Sequence, residues 1–279
     1  MTDRADRLGT LRQQAREMAG GPLPHRRLVV AGGRPNVGAT TLTLAMGLAL
    51  AREGLRVVLV DADLARADLT AACHVQPHGH LADVLAGRRT VHETLVLGPD
   101  GTQVLPAAAT AAVRDSVGRR AIQRLLRQLE ELRPHADWLV IDAGNQPSEL
   151  AASLWTIADR LLVVTSPEAA AVMDTYALMK TMLPGGALPE WIGLAVNHAA
   201  DMGMAADVHR RIDQSCRRFL GLSVQLAAAV PHDPQVARHG ARGRNSGHAT
   251  SEVDRAAAVL ARGLVEGGHG PVSILRPAA

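Results

Sequence analysis

From Leu28 onward, short unbroken apolar runs alternate with helix-length stretches, and this alternation constrains the fold more than any other feature of the chain. The runs are LVVA (28–31), VVLVD (57–61), TQVLP (102–106), WLVID (138–142), LLVVT (161–165), IGLAVN (192–197) and VQLAAAV (224–230). Apolarity that is continuous and not alternating marks strands buried on both faces, as in a parallel sheet covered by helices. Helices are expected between them at 40–53, 119–132, 148–158, 169–182, 204–219 and 251–265. The expected fold is therefore α/β, a doubly wound, mostly parallel sheet with helices on both faces. Ahead of it, Leu8, Leu11, Ala15 and Met18 recur at helical spacing and are followed by the breaker run Gly20-Gly21-Pro22-Leu23-Pro24. This divides the chain into an amphipathic helix and linker (1–25), one α/β domain (26–266) and a flexible tail (267–279).

Composition removes several alternatives. No apolar run approaches the roughly 18 residues of a spanning helix, and the polar start MTDRADRLGT does not resemble a signal peptide. The cysteines Cys73 and Cys216 form neither a C-x-x-C pair nor a disulfide framework, so a reduced, cytoplasmic setting is expected. A net charge of +3 is too small to imply nucleic acid, and aromatics at 2% leave no stacking platform for single strands. Lys180 is the only lysine, so arginine carries nearly all the positive charge.

The first strand runs into Gly32-Gly33-Arg34-Pro35-Asn36-Val37-Gly38-Ala39-Thr40-Thr41, where a helix opens. The spacing Gly33–x4–Gly38–x–Thr40 is that of a phosphate-binding loop, G-x-x-x-x-G-K-[ST], in strand–loop–helix context. Glycines let the backbone wrap an anion, the helix N-terminus aims free N–H groups at it, and the Thr40 hydroxyl suits Mg²⁺. The lysine that should precede Thr40 is Ala39. Losing that charge-assisted contact, ~1.5–3 kcal/mol, weakens binding about ten- to a hundredfold. Pro35 removes a further N–H donor from the loop. A glycine-rich turn that binds nothing is the competing reading.

The loop resembles the deviant Walker A motif, K-G-G-x-G-K-[ST], of the MinD/ParA ATPases, which are P-loop NTPases of the SIMIBI type. On that pattern Arg34 takes the place of the signature lysine, Pro35 and Asn36 of two glycines, and Ala39 of the loop lysine. The resemblance implies that Arg34 touches the phosphates of a partner protomer's nucleotide, and that Gly33, Asn36, Val37, Gly38, Ala39, Thr40 and Thr41 line its own. Val60-Asp61-Ala62-Asp63-Leu64 resembles the family's D-x-D segment, which implies that Asp63 positions the attacking water and Asp61 supports the metal. Leu139-Val140-Ile141-Asp142 resembles a Walker B strand, so that Thr40, Asp61 and Asp142 would manage Mg²⁺. Asn197, at the end of the sixth run, and Val230-Pro231-His232-Asp233 fall where the family contacts adenine, which implicates Asn197, Pro231 and Asp233. Taken singly, each Asp also reads as a helix or turn cap.

Leu81-Ala82-Asp83-Val84-Leu85-Ala86-Gly87, Val104-Leu105-Pro106-Ala107 and Val163-Val164-Thr165-Ser166-Pro167-Glu168 are similar to segments of the FlhG-type branch, MinD-like regulators of flagellar site and number. Asp3-Arg4-Ala5-Asp6-Arg7-Leu8 loosely resembles that branch's activator motif, which implies an FlhF-like GTPase partner for residues 1–19. The implied function is an ATP/ADP- and Mg²⁺-dependent dimerisation switch, homodimeric through its nucleotide face, with weak or absent hydrolysis. Two alternatives stand beside it: a pseudo-ATPase scaffold that binds protein partners, and a ParA-like DNA-associated protein using Arg238, Arg242 and Arg244. The tail 267–279 is broken by Gly and Pro and has one basic residue, so direct membrane binding is not expected and recruitment to membrane or pole would need a partner. His74, His78 and His80 are the densest histidine cluster, without a full zinc ligand set in sequence.

Overall fold

The computed structural model describes residues 26–109, 117–183, 188–233 and 251–266. The expected helix at 4–18, the tail 267–279 and Arg238, Arg242 and Arg244 lie outside the described residues. Elements follow in the order β1 (Arg26–Gly32), α1 (Ala39–Arg52), β2 (Val57–Asp61), α2 (Asp68–Ala72), α3 (Leu81–Leu85), α4 (Val91–Thr94), β3 (Val96–Leu97), β4 (Gln103–Leu105) and α5 (Arg119–Glu130). After these come β5 (Trp138–Asp142), α6 (Glu149–Ile157), β6 (Arg160–Thr165), α7 (Ala169–Met182), β7 (Trp191–Asn197), α8 (Met202–Leu220), β8 (Gln225–Val230) and α9 (Glu252–Val265).

One eight-stranded sheet has the order β3-β4-β2-β5-β1-β6-β7-β8. Every pairing is parallel except β3 with β4. Each predicted run forms a strand. The sheet is doubly wound because β1 sits between β5 and β6, and the chain crosses from one side of β1 to the other after β5. Ligands of such sheets bind outside the carboxyl ends of the strands at this switch point, which is where the β1–α1 loop lies.

Alternate strand residues serve opposite faces. Leu28, Val30, Leu59 and Val140 pack with Leu42, Met46 and Leu50 of α1 and with Val253, Ala257, Leu260 and Leu264 of α9. Val29, Val58, Leu139 and Ile141 pack with the apolar sides of α5, α6, α7 and α8 on the other face. The apolar face of α9 is thus core. Burial on both sides explains why these runs lack polar alternation.

Three short helices and the two-residue β3 were not foreseen, because four or five residues are too few to establish a period. Local capping fixes α3 and α4: Asp83 accepts from the His80 N–H at 2.9 Å, and Glu93 from the Thr90 N–H at 2.7 Å. His80 is thereby the residue that opens α3. Among the described residues no helix is long and apolar enough to cross a membrane.

Candidate functional site

The β1–α1 loop is pinned at both ends by neighbouring strands. Gly32 N–H donates to the Gly144 carbonyl at 2.9 Å, and Gly33 N–H to that of Val164 at 3.0 Å. Gly33 has no room for a side chain, since a Cβ there would stand 1.9 Å from Thr175 Oγ1 on α7. Gly38 caps α1 in the left-handed region, with φ 90°, which favours glycine. The first bond closing the helix is Leu42 N–H to the Gly38 carbonyl, at 3.0 Å. The N–H groups of Ala39, Thr40 and Thr41 therefore have no acceptor within the helix, no side chain caps them, and no acidic residue stands in the first turn. That end of α1 is electrically suited to an anion.

Beside the loop, β2 and β5 end on two carboxylates. Asp61 and Asp142 are register partners across the parallel pair, and both are fully buried. Asp61 Oδ2 accepts from the Thr70 N–H at 2.8 Å and from the Thr70 hydroxyl at 2.6 Å. Asp142 Oδ1 accepts from the Gly144 N–H at 3.0 Å. The second oxygen of each, Asp61 Oδ1 and Asp142 Oδ2, is buried with no hydrogen-bond partner. Burial, with Asp142 close by, pushes Asp61 up to about 7 against the opposing bonds from Thr70. Burial likewise raises Asp142 to about 6, with the Thr40 side chain and Gly144 N–H favouring its charged form.

Two orphaned carboxylate oxygens, with the Thr40 side chain bearing on Asp142, fit a magnesium ion, which accepts few protein ligands and keeps waters. Thr40, Asp61 and Asp142 are the residues that would hold it, the ion supplying charge stabilisation for phosphate oxygens. Asp63 is partly exposed; its Oδ1 accepts from the N–H groups of Ala65 at 3.0 Å and Arg66 at 3.3 Å. Its negative charge contributes to the raised value of Asp142, so it belongs to the same electrostatic cluster.

Arg34 lies 3.9 Å from Glu168 and 3.8 Å from Asp174 of its own chain, at the start of α7. Asn197 clasps the loop from the end of β7: its Nδ2 donates to the Val37 carbonyl at 2.9 Å, and its Oδ1 accepts from the His198 N–H at 3.0 Å. Asp233 Oδ2 accepts from the Glu252 N–H at 3.2 Å and so tethers the segment after β8, including Pro231, to α9. His198 and His232 extend the same edge, their Nδ1 atoms 3.0 Å apart. Partial burial and His232 hold His198 below the ordinary imidazole value, while Glu168 acts the other way.

All the predicted site residues thus gather along one sheet edge. Thr70, Arg66 and the two carboxylates that hold Arg34 were not assigned roles from sequence. Thr70 had no motif to mark it; its position nine residues beyond Asp61, on the next short helix, was the only signal. Among the described residues no group of three His, Cys, Asp or Glu side chains is arranged to hold a metal, so an ion beside Asp61 and Asp142 would complete its shell with the Thr40 hydroxyl and water.

The family model described as an AAA domain matches residues 26–183. The antiactivator FleN of Pseudomonas aeruginosa PAO1 is 29% identical over 213 residues, 76% of each chain. Among solved structures, the septum site-determining protein MinD of Pyrococcus horikoshii, complexed with Mg-ADP, superposes with a TM-score of 0.68 at 22% identity, covering 86% of this chain and 96% of that one. A ParA family ATPase from Chlorobium tepidum gives 0.71 at 16% identity, covering 86% and 99%.

Proposed function

Because the chain belongs to the AAA domain family, and within it to the MinD/ParA group, we propose that it is a nucleotide-dependent switch regulating cellular positioning. In this reading it binds ATP or ADP with Mg²⁺, dimerises through the nucleotide face and hydrolyses weakly. The observation that carries it is the uncapped N-terminus of α1 beside two buried carboxylates, each with an oxygen lacking a partner. An isolated pair of buried acids is destabilising, and a cation coordinated to phosphate is the chemistry that relieves it.

Weak hydrolysis follows from Ala39 and Pro35. With no ammonium in the loop, developing negative charge on the transferred phosphoryl group lacks a donor, which costs a factor of about 10²–10³ in rate. Asp63 would orient the water, and Arg34 would reach the phosphates of a second copy after leaving Glu168 and Asp174. Asn197, bonded to the loop, and the Pro231–Asp233 segment would flank the base. The segments similar to the FlhG-type branch support a flagellar role, with a GTPase of the FlhF kind meeting residues 1–19, and the likeness to an antiactivator agrees with a regulatory one.

A second reading, a pseudo-ATPase scaffold, is favoured by one observation: Ala39 opens α1 directly, leaving the helix start without a lysine. Calorimetry of Mg·ATP and Mg·ADP on the wild type and on Ala39→Lys separates the two, with size-exclusion chromatography run with and without ATP. Micromolar wild-type binding with an ATP-dependent shift to dimer supports the switch. No binding at millimolar nucleotide by either protein refutes it and leaves the scaffold.

A further inference from the structure

A phosphate loop that has lost its lysine needs positive charge from elsewhere, and two guanidinium groups reach it. Arg34 belongs to the loop itself, stands 3.9 Å from Glu168 and 3.8 Å from Asp174, and in the proposed switch serves the phosphates of a second copy. Arg66, on the turn between β2 and α2, is placed differently. Its Nε pairs with Asp68 at 2.6 Å, while its NH2 lies 3.5 Å from the Asn36 amide oxygen at the exposed tip of the phosphate loop. That contact is long and made to an uncharged acceptor, so it is weak and easily exchanged.

The backbone beneath Arg66 is not free to wander. Asp63 accepts from the Arg66 N–H through Oδ1 at 3.3 Å, and its carbonyl accepts from the Ala67 N–H at 2.9 Å. The side chain therefore leaves a fixed turn toward the loop from the side of the acidic cluster. Asn36 itself is held in the left-handed region, φ 64°, a conformation that asparagine tolerates better than most residues. Asp68, whose charge bears on Asp142, is neutralised by the same arginine.

We propose that Arg66 replaces the missing loop lysine, moving its NH2 edge from Asn36 to the β- and γ-phosphates of bound nucleotide. This rests on the nucleotide-binding reading above. A planar guanidinium donates two parallel bonds to a phosphate where an ammonium acts as a point charge, so Arg66 would discriminate by phosphate number. The signal in sequence is a lone arginine three residues after the second Asp of D-x-D, unremarkable in a chain rich in arginine.

The test is calorimetry with Mg·ATP, Mg·ADP and AMP on four full-length proteins: wild type, Arg66→Ala, Arg66→Lys, and Arg66→Ala combined with Ala39→Lys. Arg66→Ala should weaken ATP about ten- to a hundredfold, the worth of a charge-assisted contact, and leave AMP within about twofold. Arg66→Lys should recover part of the loss, and the double variant most of it, because its charge returns to the loop from the other side. Equal ATP affinity in wild type and Arg66→Ala overturns the proposal while the nucleotide-binding reading stands. A parallel loss of ATP and AMP also overturns it, showing that Arg66 only shapes the loop through Asn36. A wild type that binds no ATP overturns both readings together.

Discussion

Replacing Asp61 by Asn should stabilise the nucleotide-free protein, and increasingly so as pH rises. In the fold this carboxyl is raised from 3.8 to about 7, so the native state favours its protonated form. A group raised in this way contributes stability that is complete below the unfolded-state value and is lost as pH rises through the folded-state value. The loss therefore runs from near pH 4 to near pH 7. The shift is roughly three pH units, which at about 1.36 kcal/mol per unit sets a ceiling on the order of 4 kcal/mol. Relaxation around the Asp142 pair will reduce it, and about 2 kcal/mol at pH 8 is the expected gain. Asn keeps a carbonyl oxygen for both Thr70 donors while removing the titrating charge. Urea unfolding of both proteins at pH 4.5, 6 and 8 measures the difference, which should shrink to within about 1 kcal/mol at the acid end. A difference that stays constant across this range, or an Asn variant less stable at pH 8, would refute the argument that an ionised pair strains the unliganded site.

Gly33→Ala should destabilise by about 1–3 kcal/mol or more, because the new methyl meets Thr175 Cα at 2.7 Å as well as its hydroxyl. Thermal or urea unfolding within 0.5 kcal/mol of wild type would count against the close approach of α7 to the loop. Arg56→Ala should cost about 1–3 kcal/mol by stripping the guanidinium from Asp137, whose carboxylate is nearly buried and accepts from the Arg56 NH2 at 2.8 Å. The loss should be read in equilibrium unfolding, with nucleotide affinity unchanged, since this pair lies at the opposite end of the strands from the phosphate loop.

Legibility in the sequence tracked length and chemistry. Strands buried on two faces must be apolar throughout, so VVLVD and WLVID announced β2 and β5 with their boundaries correct. Helices of nine residues or more, such as α6 and α7, carried enough turns to show a face or a cap. The helices α2, α3 and α4 did not, and are fixed by caps and by tertiary contacts. The site was legible where residue type dictates role: glycine for the loop, aspartate at a strand end. It was not legible where a contact depends on turn geometry. Nothing in the string D-A-D-L-A-R places Arg66 against Asn36; that takes an Asx-type turn at Asp63 and a left-handed Asn36. Asn197 was anticipated beside adenine, yet its amide bonds to the loop carbonyl of Val37, a link between residues 160 positions apart.

The helix that opens at the phosphate loop also lies under the last described helix. Small residues on both, Ala45 and Ala49 of α1 and Ala256, Ala257 and Ala261 of α9, are buried in one cluster, and Arg262 approaches Glu53 at 3.9 Å. Little side chain stands between the two helices there. Because Arg262, near the end of α9, meets Glu53 at the end of α1 remote from the loop, any displacement of α9 along that face would be felt along the length of the helix that opens at the anion site.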